Sequence, residues 1–319
     1  MRTINKIIII ALSLFAFSCE DILEEDITND IVQVIAPTSG DVITSNVVDF
    51  QWNQLKGADK YRVQVYNSSQ AIVLDSVVSN KTSLIAPISA GEYQWRVRGE
   101  NAGYVSTYSF PESFSVVESL DLTNQQVLLS NPANNIYTRS TTLSCSWQTL
   151  NPADYYELEL VNVTAGQTIV HQESDITGTS FLLNSTLLAQ DAQYEWKVKG
   201  VNATSETAFS SRTFYVDRVA PSASENSLPI DNSVQVAGQP IRFTWTVPTD
   251  TGTIQSPVTY SIEFSNTVGF NTILRTSSSA IAQIDETFTA SGDYYWRVKT
   301  TDKALNTSIY STPIKFKIN

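Results

Sequence analysis

One histidine and two cysteines are the whole supply of imidazole and thiol in 319 residues. Nucleophilic catalysis of the Ser–His or Cys–His kind would have to run through His171, and a His/Cys metal site lacks ligands. His171 sits in Ile169-Val170-His171-Gln172-Glu173, an alternating run that reads as a surface or edge strand. Carboxylates are plentiful, with 32 Asp and Glu against 20 Lys and Arg. Counting alone allows a glycosidase pair, but nothing in the sequence suggests a cleft to hold one dry. Calcium would need six to eight oxygens. Asp217, Asp250 and Asp302 could contribute, yet no Asp-x-Asp-x-Asp spacing occurs, so they read as solvated turn residues and no metal is expected. Gly-x-Gly, Gly-Lys-Ser/Thr, His-Glu-x-x-His, Cys-x-x-Cys and Gly-x-Ser-x-Gly are all missing. The expectation is no catalytic residue, no enzyme and no cofactor. A formal net charge of −12 also excludes a nucleic-acid partner, because phosphate contacts need clustered cations.

The cysteines divide by position. Residues 1–19 read MRTINKIIIIALSLFAFSC, with Arg2 and Lys6 ahead of an 11-residue apolar stretch, Ile7 to Phe17. A membrane-spanning helix needs about 20 apolar residues, whereas a signal-peptide core is shorter. The segment Ala16-Phe17-Ser18-Cys19 resembles the lipobox of bacterial lipoproteins, which implies cleavage after residue 18 and lipidation of Cys19. The acidic run Glu20-Asp21-Ile22-Leu23-Glu24-Glu25-Asp26 is similar to the surface-export signal of Bacteroidetes-type lipoproteins. That resemblance implies a membrane partner through the lipid and an outward-facing position on the outer membrane. Charge repulsion alone would also extend such a run as a tether. Cys145 alternates with Leu143 and Trp147 on one strand face and reads as a small buried hydrophobe.

The elements that carry these residues repeat. All six tryptophans fall into three pairs: Trp52 and Trp95, Trp147 and Trp196, Trp245 and Trp296. Between the members of each pair lies an unbroken alternation: Tyr61-Arg62-Val63-Gln64-Val65, Tyr156-Glu157-Leu158-Glu159-Leu160 and Tyr260-Ser261-Ile262-Glu263-Phe264. Period-2 alternation marks half-buried strands. Phe114-Ser115-Val116, Phe214-Tyr215-Val216 and Phe316-Lys317-Ile318 close the copies. The repeat is about 100 residues, the size of a self-sufficient sandwich domain. The expected organisation is a signal peptide over 1–18, a lipidated Cys and acidic tether over 19–30, and sandwiches over 31–118, 119–218 and 219–319. Each sandwich is expected to fold on its own, with the six tryptophans as core.

This pattern resembles the fibronectin type III and related bacterial immunoglobulin-like families. The resemblance implies an all-β chain of three tandem antiparallel β-sandwiches. It also implies a tyrosine corner at Tyr194 and Tyr294, preceded by Leu188 and Phe288. Pro87 at the matching place in module one suggests an irregular corner there. Asp217-Arg218-Val219-Ala220-Pro221 is similar to the joint between tandem bacterial immunoglobulin-like domains, and Asp302-Lys303-Ala304-Leu305-Asn306 to their Asp-x-Ala-Gly-Asn turn.

Function is less legible, because this architecture carries many activities. The reading is a non-catalytic cell-surface spacer or protein-interaction and adhesion module. The alternative is a glycan-binding lipoprotein of a nutrient-uptake system. Sugar stacking would fall to Tyr66, Tyr104, Tyr108, Tyr137, Tyr155, Tyr215 or Tyr310, since every Trp has a core seat. Asp75-Ser76-Val77 is similar to a Bacteroidetes-type O-glycosylation site, or is a plain surface turn. Module three carries a six-residue insert within Pro248–Pro257. Loops on rigid sandwiches commonly serve recognition, so Asp250, Thr251, Ile254 and Gln255 are candidate binding residues.

Overall fold

The computed structural model describes residues 24–319, and the signal-peptide and Cys19 readings lie outside the described residues. The described chain is all-β, without helices. Each module pairs a three-stranded with a five-stranded sheet. In module one the small sheet runs Val34–Ala36, Val47–Trp52, Ser83–Pro87. The large sheet runs Asp41–Ile43, Glu112–Val116, Gly91–Glu100, Lys60–Asn67, Ile72–Ser79. Neighbours are antiparallel except Asp41–Ile43, which lies parallel to Glu112–Val116.

Module two repeats this order with Leu129–Asn131, Leu143–Trp147, Ser180–Leu183 against Ile136–Thr138, Ser210–Val216, Ala192–Val201, Tyr155–Asn162, Thr168–Ile176. Module three does so with Asn226–Leu228, Pro240–Trp245, Gln283–Thr287 against Ser233–Gln235, Ile314–Ile318, Gly292–Asp302, Val258–Ser265, Arg275–Ser279. This is a fibronectin type III-like sandwich three times over.

Alternation explains the layers. Tyr61, Val63 and Val65 of module one point inward, as do Leu158 and Leu160 of module two and Ile262 and Phe264 of module three. They face the small sheet across three separate apolar cores. All six tryptophans are buried in these cores. Cys145 is buried in the second, and burial pushes its thiol up to about 12.

The corner is regular in every module. Tyr93, Tyr194 and Tyr294 each donate the phenol to the carbonyl four residues upstream, at Ser89, Gln190 and Ala290, at 3.0, 3.0 and 2.9 Å. The irregularity expected from Pro87 in module one is absent, because the bond uses a main-chain acceptor that any residue supplies.

One segment differs from expectation. The described part of the acidic tether is not a solvated linker. Ile27 is fully buried, Glu25 pairs with Lys56 at 2.9 Å, and Asn101 Nδ2 donates to the Glu25 carbonyl at 2.8 Å. An apolar residue among the acids anchors residues 24–30 to module one. The three sandwiches keep three separate cores, and the chain groups them into two compact units, one ending at Glu118 and the other, Ser119–Asn319, holding modules two and three. Modules two and three thus share one compact unit.

Candidate site at the joint of modules two and three

The joint is built from three segments: the last residue of the Ser210–Val216 strand's exit, the insert, and the end of strand Gly292–Asp302. The first supplies Asp217, which is wholly buried. Its Oδ2 accepts from the Ser256 hydroxyl at 2.8 Å, and its Oδ1 from the Val219 N–H at 3.3 Å. The third supplies Asp302, also buried, whose oxygens accept from the Asn306 N–H and Nδ2 at 2.8 and 2.9 Å. Asn306 Nδ2 also donates to the Asp217 carbonyl at 2.8 Å. The insert supplies Asp250. Its Oδ1 accepts from Gly252 N–H at 2.8 Å, while its Oδ2 is shut off from solvent and accepts no hydrogen bond.

One carboxylate oxygen from each of Asp217, Asp250 and Asp302 lies within 4.8 Å of the other two. The expectation of solvated turn residues is therefore corrected for Asp217 and Asp302. The three are far apart in sequence, so no local motif reports their meeting. Burial raises the Asp217 carboxyl above its usual range, and Asp302 and Asp250 raise it further against the Ser256 hydroxyl. Arg218, the adjacent cation, is bound to Asp191 at 2.6 Å and to the Leu188 carbonyl. Among the described residues no Lys, Arg or His pairs with any of the three aspartates.

The same place exists in the other modules, with different chemistry. Gly57, Pro152 and Asp250 each lie five residues after Trp52, Trp147 and Trp245. Asn101, Asn202 and Asp302 each lie six residues after Trp95, Trp196 and Trp296. Glu25, Leu120 and Asp217 precede the first tryptophan by 27, 27 and 28 residues. In module one Asn101 Nδ2 donates to the carbonyls of Glu25 and Gly57, both at 2.8 Å. In module two Asn202 Nδ2 donates to those of Leu120 and Pro152, at 2.8 and 3.0 Å. A side-chain amide thus ties lead-in segment, loop and strand end together. In module three all three stations are aspartate. Counting each station from its tryptophan was the signal that would have exposed the site.

The insert lies against the joint. The Ser222 N–H donates to the Thr249 carbonyl at 2.9 Å, and Gly252 sits where any Cβ would stand 3.0 Å from Val219. Of the candidate binding residues, Ile254 is buried and Asp250 faces the joint, which leaves Thr251 and Gln255 exposed. Lys303 of module three also lies over the ring of Tyr137 of module two, 5.4 Å from its centre.

The other singled-out residues have framework partners. His171 stacks on Phe181 at 5.4 Å, with Nε2 3.2 Å from Glu173. Ser76 lies mid-strand opposite Val63 rather than in a turn, and Asp75 pairs with Arg62 at 2.7 Å. Arg96 lies between the rings of Tyr66 and Tyr108, and Arg297 between Phe270 and Tyr310. Tyr137 stacks on Tyr215 at 4.4 Å. Tyr155 is half-buried, and Tyr104 is exposed.

No family model and no curated protein matches the chain. Among solved structures, the chain is similar to the chicken CNTN1 FN1-FN3 domains, at 16% identity over 90% of this chain and 97% of that one, with a TM-score of 0.46. The fibronectin(III)-like modules of Clostridium thermocellum CbhA match at 16% identity over 60% of this chain and 93% of theirs, TM-score 0.38. A two-domain fibronectin type III segment of chicken tenascin matches at 18% identity over 58% and 97%, TM-score 0.23. The fold assignment stands on the strand order, the register and the three tyrosine corners.

Proposed function

We propose that the chain is a lipid-anchored, non-catalytic spacer that holds a protein-interaction surface away from the outer membrane of a bacterium. Tandem fibronectin type III-like sandwiches fit a spacer or interaction module. The observation that supports a non-catalytic role most is the allocation of side chains. The tryptophans lie in the cores, Cys145 is buried, and His171 stacks on Phe181 of the small sheet and lies beside Glu173 of its own strand. The glycan-binding alternative is not favoured, since Tyr66, Tyr108 and Tyr310 are engaged by arginines and Tyr137 and Tyr215 by each other.

Anchoring rests on the sequence of residues 1–19. A diacylated Cys19 gives stable membrane attachment where one chain would be reversible. Cys19→Ser is the test. The variant is expected to leave the membrane pellet for the soluble fraction. A variant that pellets like the wild type contradicts the reading.

A further inference from the structure

We infer that Asp217, Asp250 and Asp302 together bind one calcium ion, which takes over at the joint of modules two and three the crosslink that an asparagine makes in modules one and two. At this station Asn101 and Asn202 present hydrogens to two carbonyls each. Asp302 presents only oxygen, and its two counterparts are carboxylates as well. An ionised carboxylate donates nothing. Ser256 and Asn306 tie Asp217 to the insert and to the strand end, but the three carboxylates repel one another at this distance unless something positive is set between them.

Three observations beyond the clustering point the same way. Asp250 Oδ2 is closed off from water and accepts no hydrogen bond, although a buried carboxylate oxygen without a partner is costly. Asp217 and Asp302 are buried without a protein cation, and Arg218 is already bound to Asp191. The replacement is also concerted: none of the three stations is aspartate in module one or two, and all three are in module three.

The geometry and ligand type select the ion. Ca²⁺ binds oxygen at about 2.4 Å, so two ligands on opposite sides of it stand about 4.8 Å apart. Three oxygens mutually within 4.8 Å lie within about 2.8 Å of a common centre, so a closing movement of a few tenths of an ångström lets all three touch one such ion. Mg²⁺ binds at about 2.1 Å in a stricter octahedron and gives up water reluctantly. An all-oxygen set without sulfur or imidazole disfavours softer metals. Three protein ligands leave room for water to complete the shell. The inference does not depend on where the chain is anchored.

The test is a calorimetric titration of the full chain, purified in detergent and stripped with EDTA, using Ca²⁺ alone and then Mg²⁺. The wild type is expected to bind one Ca²⁺, more tightly than Mg²⁺, and to melt at higher temperature in its 119–319 unit when Ca²⁺ is added. Asp302→Asn restores the amide of the other modules. It should keep the fold in EDTA, bind Ca²⁺ at least tenfold more weakly and lose the calcium-dependent shift. Asp250→Asn is the second variant, with the same loss expected, should Asp302→Asn fail to fold. Asp285→Asn removes an exposed carboxylate paired with Arg242 outside the joint and should keep wild-type affinity. Three results would each overturn the inference: no Ca²⁺ binding by the wild type at millimolar concentration, undiminished binding by folded Asp302→Asn or Asp250→Asn, or an equal loss in Asp285→Asn, which would mark diffuse binding to an acidic surface.

Discussion

Asn202 and Asp302 occupy the same station at the end of the same strand in adjacent modules, and they work with opposite polarity. Asn202 Nδ2 donates to the carbonyls of Leu120 and Pro152, whereas Asp302 accepts from Asn306 and faces two further carboxylates. Removing the donor in module two leaves two carbonyls to find other partners. Asn202→Ala is expected to destabilise the 119–319 unit by about 1–3 kcal/mol. Urea unfolding followed by tryptophan fluorescence measures this, and an unchanged midpoint would show that the amide crosslink is dispensable.

Cys145 offers a pH-dependent readout. Burial holds its thiol at about 12 in the folded protein, against 9.0 for a free thiol. Folded protein should therefore resist alkylation at pH 8 and react only when the second core opens, because the thiolate is the reactive form. The sign for stability follows. The folded state holds the proton between the two values, so stability is intact below about pH 9 and falls as pH rises toward 12. Cys145→Ala should remove this part of the alkaline loss. Rapid labelling of folded protein at pH 8 would contradict the buried placement.

Much of the fold was legible because it follows from local alternation. Each Tyr-led strand alternates polar and apolar residues, and the tryptophan pairs mark the two strands that meet in each core. Ile27 was not legible, since an isolated apolar residue between Asp26 and the polar Thr28-Asn29-Asp30 carries no period. The coupling of modules two and three was hidden too. It depends on Ser256 and Asp250 folding back on Asp217 across more than thirty residues, and on Lys303 meeting Tyr137. Extra spacing and Pro and Gly content marked the insert as a loop, and neither says what a loop lies against. The candidate site fell between these cases: its aspartates were visible as residue types, but burial, not spacing, distinguishes them from turn residues.

Modules two and three share one compact unit, and module one is a unit of its own. The most direct measurement is hydrogen exchange on the full chain carrying Trp147→Ala. Truncating a buried tryptophan costs about 3–5 kcal/mol, enough to open module two measurably. The predicted result is faster exchange in strands Leu143–Trp147 and Ala192–Val201, with faster exchange also at Asp217, around Ser256 and at the end of strand Gly292–Asp302 in module three. Strands Val47–Trp52 and Gly91–Glu100 of module one should exchange as in the wild type. Unchanged protection throughout module three would contradict the account and return the chain to three independent sandwiches.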